Sequence, residues 1–247
     1  MAKASIAIPA RLGSTRLPGK VLLDLGGKPV VQHVWEKVQN MKNAGKIVLL
    51  ADTEEVRKVA EGFGAEVIMT SPNCRSGTER LASILSNLPG EFFLNVQGDE
   101  PFIDVDLLDS LVDRWAETNC ELVTAVAKIS DPAKLTNPNV VKVVRGSDGR
   151  AIYFSRSAVP HLRGVPAEKW LDSGNVWWSH IGVYGYARSV LEAHPTMPVT
   201  ALETIESLEQ LRFIDHGMRF QTVETNYHPV SIDTLEDLEN ARKLFKV

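Results

Sequence analysis

A chain of 247 residues that is 44% hydrophobic and 23% charged can build one large hydrophobic core, and no second full domain is required. Its formal net charge of -4 at pH 7 argues against a general nucleic-acid or anionic-membrane binder, because such partners need a positive field over a broad face. Two cysteines, Cys74 and Cys120, without CxxC spacing give neither a disulfide framework nor a zinc site and read as free thiols.

The chain opens on an apolar strand at residues 6–10 that runs into the loop Arg11-Leu12-Gly13-Ser14-Thr15-Arg16-Leu17-Pro18-Gly19-Lys20. No leader-like segment precedes it and no apolar run approaches membrane-spanning length, so the expected compartment is the cytoplasm. Helical spacing of Val30, Val31, Val34, Trp35 and Val38 predicts a helix over 29–42, followed by a strand at 46–51. Asp52 and Thr53 then supply capping chemistry for a helix reaching about Gly62, and 65–69 is a further strand. Ser76-Gly77-Thr78-Glu79-Arg80 opens a third helix, and 91–96 is a buried strand ending in Gln97-Gly98-Asp99-Glu100-Pro101. A helix over 105–117 and a strand over 122–127 complete a first half, 1–130, of strands alternating with amphipathic helices. That pattern predicts a parallel sheet with helices on both faces.

The second half, 131–247, begins with a β-hairpin (140–145 and 151–154 around Gly146-Ser147-Asp148-Gly149) and a loop rich in Pro, Gly and Trp. A strand over 177–186, one helix over 201–217, a strand over 219–224 and a closing helix over 234–245 follow. The whole reads as a single domain.

Three cations, two hydroxyls and two glycines at the carboxyl end of the first strand form a place to hold phosphates. The spacing is not that of a Walker A loop: five residues separate Gly13 from Gly19, and Val21 stands where a metal-binding hydroxyl is needed. No GxGxxG is present either. What remains is a basic loop in which Arg11, Arg16 and Lys20 can hold a triphosphate, with Ser14 and Thr15 assisting. Asp99, at another strand end facing the same crevice, is placed to ligate a nucleotide-bound divalent ion. Asp233 lies between an extended run and a helix start, and by itself reads as a helix cap. His180, among Trp177, Trp178, Tyr184 and Tyr186, reads as a core histidine, and Glu209 and Gln210 as part of a solvated helix face. Arg156 offers either an anchor for an acidic substrate or a partner for a nearby acid.

Taken together, Ile8-Pro9-Ala10-Arg11, the loop 14–20, Ser76 to Arg80, Asn95 to Pro101, Tyr153-Phe154-Ser155-Arg156, His180 to Tyr184, Leu208 to Arg212 and Ile232-Asp233-Thr234 resemble the bacterial CMP-Kdo synthetases, 3-deoxy-manno-octulosonate cytidylyltransferases, in order along the whole chain. The resemblance implies a nucleotidyltransferase-type, Rossmann-like three-layer α/β sandwich with a mostly parallel sheet and an inserted β-rich dimerisation region near 140–186. It implies transfer of CMP from CTP to an acidic eight-carbon keto-sugar with release of pyrophosphate, for lipopolysaccharide biosynthesis, by a Mg²⁺-dependent homodimer. Pro9, Ala10, Arg11, Ser14, Arg16, Lys20, Ser76, Gly77 and Arg80 would bind the nucleotide, and Asp99 and Asp233 the Mg²⁺, with Lys20 completing the catalytic set. Gln97, Arg156, His180, Tyr184, Glu209 and Gln210 would line the sugar-acid pocket. Ser179, Ala187, Thr200-Ala201 and Ser231 depart from the family pattern, all in the acceptor half, which points to a variant sugar such as 8-amino-8-deoxy Kdo. A nucleotidyltransferase for another sugar acid or nucleotide, or a non-catalytic sugar-nucleotide-binding module, are the competing readings.

Overall fold

The structure, a computed structural model, describes residues 3–14 and 16–245; Thr15, named above beside Ser14, lies outside the described residues. Among the described residues the elements follow in the order β1 (Ala4–Ala10), β2 (Asp24–Leu25), β3 (Lys28–Pro29), α1 (Val30–Val38), β4 (Ala44–Ala51), α2 (Glu54–Gly62), β5 (Val67–Met69), α3 (Gly77–Ser83), β6 (Phe92–Asn95), α4 (Val105–Thr118), β7 (Leu122–Lys128), α5 (Pro132–Thr136), β8 (Lys142–Arg145), β9 (Arg150–Ser155), β10 (Trp178–Ala187), α6 (Arg188–Ala193), α7 (Ala201–Glu206), α8 (Gln210–Asp215), β11 (Phe220–Thr225) and α9 (Leu235–Leu244).

Nine of the strands form one sheet in the order β5-β4-β1-β6-β10-β7-β11-β9-β8. Side chains on β1 alternate between its two faces, as a strand buried on both sides requires. Ile6 and Ile8 join a core with Val31, Val34 and Val38 of α1, Val56 of α2 and Leu108 and Leu111 of α4. Ala7 faces the other way, into a core with Leu81 of α3, Val190 and Leu191 of α6 and Leu211 and Phe213 of α8. The result is the expected sandwich of helices, sheet and helices. Its helices start where the capping residues stand: Ser76 Oγ accepts from Glu79 N at 3.1 Å, and Thr53 and Asp104 do the same for α2 and α4. Caps of this kind stabilise a helix by about 1 kcal/mol each.

Two expectations are corrected. The sheet is mixed: β4, β1, β5 and β6 are parallel, but β10 lies antiparallel between β6 and β7, and β9 is antiparallel to both β11 and β8. β10 returns from the hairpin side of the molecule, and an added pairing of its start with β8 closes β10, β7, β11, β9 and β8 into a ring. The β-rich region is therefore continuous with the main sheet. The helix expected over 201–217 is two helices, because Ser207 takes φ 51° and ends α7 before α8 begins. A left-handed residue cannot continue an α-helix.

The order of strands locates the crevice. The chain leaves β1 for β4 on one side, whereas β6 lies on the other, so the carboxyl ends of β1 and β6 flank a topological switch point. Here the loop after β1 meets the turn after β6. A Cβ on Gly98 would lie 2.6 Å from the Pro9 carbonyl oxygen, so only glycine lets the two backbones approach this closely.

Candidate active site

Lys20 is the centre of the arrangement. Its ammonium lies 2.7 Å from Asp233 Oδ1 and contacts Asp99 Oδ2, and Arg16 Nη2 stands 2.9 Å from Asp233 Oδ2. Burial by itself would lower the Lys20 pKa; attraction to Asp99, with hydrogen bonds to both carboxylates, outweighs it and raises the pKa above the ordinary lysine value. Asp233 reaches this position because it does not cap α9. Thr234 is the cap, in a reciprocal capping box with Asp237, and the main chain beside it is anchored where Ile232 N donates to Asp99 O at 3.0 Å. The helix cap read from sequence is thus displaced by one residue, and Asp233 is free to face the basic loop.

Beside Lys20 lies a cavity of about 100 Å³ whose lining includes Pro9, Arg11, Ser76, Gly77, Gln97 and Asp99. Arg80, also in the lining, is buried and donates to Thr70 Oγ1. A Cβ on Gly77 would lie 2.8 Å from Asn95 Nδ2, so any larger residue at the start of α3 would displace the Asn95 amide. Ala10 is fully buried in the core and offers the site only its main chain. Ser14 does not belong to the lining of this cavity, although its loop does.

The antiparallel course of β10 brings its first half to the carboxyl ends of β6 and β7, setting Tyr184 opposite both Asn95 and Thr124. Tyr184 donates to Gln210 Oε1 at 3.3 Å, and the His180 and Tyr184 rings lie 5.3 Å apart. Burial, with the nearby Glu209 charge, raises the Tyr184 pKa, and burial lowers that of His180 to about 3, although both residues are half-buried by surface area. Glu209 is not on a solvated face. The break at Ser207 turns it inward, where its carboxylate accepts from Ser76 Oγ at 2.7 Å and Thr78 Oγ1 at 3.1 Å and lies 3.4 Å from His194 Nε2. Burial would push the Glu209 pKa up; the hydrogen bonds from His194, Ser76 and Thr78 hold it below its usual value. A residue assigned to the sugar pocket thereby ties that half to the nucleotide turn.

Arg156 is held by main-chain carbonyls. Its guanidinium donates to the carbonyls of Glu206 at 2.7 Å, Pro138 at 3.0 Å and Ser207 at 3.2 Å, bracing the end of α7. Three residues that the sequence reading gave no role in the site also matter. Thr78 links Glu209 to the Tyr186 hydroxyl, Thr124 contacts His180, and buried Glu100 accepts from Ser231 Oγ at 3.3 Å. Burial and the Asp99 charge raise Glu100 to about 7. Adjacency to Asp99 was the available signal for Glu100, and a place in the Ser76 to Arg80 stretch that for Thr78; Thr124 has none beyond strand propensity. A larger open groove of about 1030 Å³, between α4 and the end of β11, contains none of the expected site residues.

The donor set fits a divalent cation of the Mg²⁺ type. Asp99 and Asp233 converge on a single positive charge, and Mg²⁺ uses one or two carboxylates together with phosphate oxygens. Among the described residues no group of three or more His, Cys, Asp and Glu side chains forms a protein cage.

The family model described as cytidylyltransferase matches residues 5–220. The chain belongs to the cytidylyltransferase family. This cytidylyltransferase is 40% identical over 248 residues to the 3-deoxy-manno-octulosonate cytidylyltransferase of Geobacter sulfurreducens, covering 97% of this chain and 98% of the relative. It is 39% identical over 239 residues to the protein of the same name from Porphyromonas gingivalis, covering 95% and 93%. A solved structure of CMP:2-keto-3-deoxy-manno-octonic acid synthetase complexed with CTP superposes with a TM-score of 0.92 at 35% identity, covering 99% of each chain. The inositol-1-phosphate CTP transferase of T. maritima, at 17% identity and a TM-score of 0.68, shares the fold.

Proposed function

We propose that this cytidylyltransferase transfers CMP from CTP to 3-deoxy-manno-octulosonic acid, releasing pyrophosphate, as a step of lipopolysaccharide biosynthesis. The observation that carries the reading is the meeting of Lys20, Asp99 and Asp233 beside a cavity lined by Pro9, Arg11, Ser76, Gly77 and Arg80, in a chain that matches a CTP-complexed synthetase over 99% of its length.

The anomeric hydroxyl of the sugar attacks the α-phosphorus of CTP, the bond from that phosphorus to the bridging oxygen breaks, and pyrophosphate leaves. Arg11, Arg16 and Lys20 bind the β- and γ-phosphates and offset the charge that gathers on them in the transition state. The turn at Ser76 and Gly77 receives the cytidine, and Glu209, hydrogen bonded to Ser76 and Thr78, sets that turn against the acceptor half. Gln97, His180, Tyr184 and Gln210 orient the sugar, and Arg156 shapes the same region through the carbonyls it braces. Asp99 and Asp233 hold Mg²⁺, which supplies further charge neutralisation on the phosphates when bound.

The departures from the family pattern mostly serve local structure. Ser179 Oγ donates to Ala127 O at 3.1 Å, Thr200 caps α7, and Ser231 donates to Glu100. The relatives named 3-deoxy-manno-octulosonate cytidylyltransferase favour plain Kdo as the acceptor, with the 8-amino-8-deoxy sugar as the variant to be tested beside it. A homodimer built on the hairpin region is the assembly we expect; exposed Ile152 on β9 and Val176 before β10 support it. Free Cys74 and Cys120 suit a reducing cytoplasm, where CTP is available.

Incubation with CTP, Mg²⁺ and a panel of octulosonic acids, followed by mass measurement of the products, tests nucleotide, reaction and sugar together. CMP-Kdo is expected. A product only with 8-amino-8-deoxy Kdo would change the acceptor, and none with any octulosonate would overturn the reading.

A further inference from the structure

Thr124, in the middle of β7, is fully buried, and its hydroxyl is shared among three neighbours. The pairing of β10 with β7 shifts register between Ile181 and Tyr184, and within this irregular stretch the carbonyls of Ile181 and Val183 both reach the same hydroxyl. Thr124 Oγ1 donates to Val183 O at 2.8 Å, with Ile181 O at 3.3 Å, and His180 Nε2 lies 2.8 Å away. A hydroxyl has one proton to give, and carbonyl oxygens can only accept. With that proton committed to the β10 carbonyls, the Thr124 oxygen meets the imidazole as an acceptor, so Nε2 must carry hydrogen and donate.

The other ring nitrogen follows from this. His180 is packed edge-on by Phe154 at 5.0 Å, and such surroundings disfavour the imidazolium, so the ring is neutral and its single hydrogen is on Nε2. Nδ1 is therefore an acceptor. Among the described residues nothing donates to it, and it is not among the sequestered unpartnered atoms, so solvent or a ligand can reach it.

We propose that Thr124 is a positioning residue that locks His180 in the Nε2–H tautomer, making Nδ1 a hydrogen-bond acceptor for a hydroxyl or ammonium hydrogen of the acceptor sugar. The proposal rests on the acceptor-site reading above. It also assigns the sugar carboxylate elsewhere, since a neutral acceptor nitrogen has no hydrogen to offer it; the side-chain amides of Gln210 and Gln97 carry the donors.

The test uses the full chain labelled with ¹⁵N-histidine. Long-range ¹H–¹⁵N spectra at pH 7, with the His180 signals assigned through His180→Gln, are expected to show the Nε2–H pattern in the wild type and in Thr124→Ser, and to lose it in Thr124→Val. In steady-state kinetics Thr124→Val should raise KM for the sugar roughly five- to tenfold, the worth of one hydrogen bond, with kcat and the KM for CTP changed by no more than about twofold. Thr124→Ser should restore the wild-type KM, which a merely structural loss of packing would not predict. An Nδ1–H tautomer in the wild type, or Thr124→Val with unaltered tautomer and sugar KM, overturns the proposal. If no octulosonate is turned over, the acceptor reading fails, while the spectra still decide the role of Thr124.

Discussion

The ammonium of Lys20 stands 2.7 Å from the carboxylate of Asp233, a residue 213 positions later in the chain. The pair joins the loop after the first strand to the start of the last helix, and Asp99 completes it from a third segment. Lys20→Met leaves the two carboxylates without their shared cation and removes a phosphate ligand. We expect kcat/KM to fall by about two to three orders of magnitude, as for loss of a transition-state electrostatic contact. Pyrophosphate release under steady-state conditions measures this, and a loss below tenfold would remove Lys20 from the catalytic set.

Chelation with EDTA should abolish turnover while the far-ultraviolet circular dichroism spectrum is unchanged, because among the described residues the core is built without metal. Asp99→Asn and Asp233→Asn should each raise the Mg²⁺ concentration needed for half-maximal rate by tenfold or more, since each removes one hard anionic donor. Binding of Mn²⁺ in the presence of CTP, followed by electron paramagnetic resonance, gives a reading independent of turnover. Wild-type Mn²⁺ affinity in both variants would move the metal elsewhere.

Gly98→Ala forces a Cβ to within 2.6 Å of the Pro9 carbonyl oxygen, and neither partner is a flexible side chain. The turn carrying Asp99 must withdraw from β1. A loss of about 1–3 kcal/mol in stability is expected from urea unfolding, together with a fall in kcat well beyond what stability explains.

Glu209→Gln keeps the size of the side chain but removes the charge that strengthens the hydrogen bonds from Ser76 and Thr78. Hydrogen bonds to charged groups contribute about 1.5–3 kcal/mol, so KM for CTP should rise by roughly an order of magnitude or more. If only the sugar KM moved, the tie to the nucleotide turn would have no functional weight.

His180 predicts a pH dependence of stability. Burial lowers its pKa from 6.5 to about 3, so between these values the unfolded chain binds a proton that the folded chain does not. Its contribution is complete above pH 6.5 and is lost progressively as the pH falls toward 3. Allowing for the part of the ring that faces solvent, the loss by pH 4 is on the order of 2 kcal/mol. His180→Phe should therefore show a shallower fall in unfolding free energy between pH 7 and about pH 4.5 than the wild type. Parallel curves for the two proteins would contradict it.

The buried strands of the first half were legible because each is a short apolar run bounded by turn or capping residues. Ser76, Thr53 and the Asn95 to Pro101 turn announced their places through local chemistry. The basic loop 11–20 and Asp99 could be assigned to a shared crevice from strand ends alone. These features depend on neighbours within a few positions, and that is the range over which sequence pattern reports physical constraint.

Other features depend on contacts between distant segments. Asp233 by itself reads as a cap, and the packed structure gives that role to its neighbour Thr234 while Asp233 turns to Lys20 and Arg16. Glu209 reads as a surface residue on a continuous helix until Ser207 breaks that helix and directs it to Ser76. The antiparallel insertion of β10 between β6 and β7, which brings His180 and Tyr184 to the crevice and sets Thr124 beneath the imidazole, has no signature in periodicity, because a buried strand looks the same in either direction. Sequence by itself determined most of the buried strands and the helices that alternate with them in the first half, and the basic and acidic side chains at the strand ends. Tertiary packing decided which charges meet and which nitrogen of His180 carries its proton, because those outcomes are set by hydrogen bonds and burial between residues far apart in the chain.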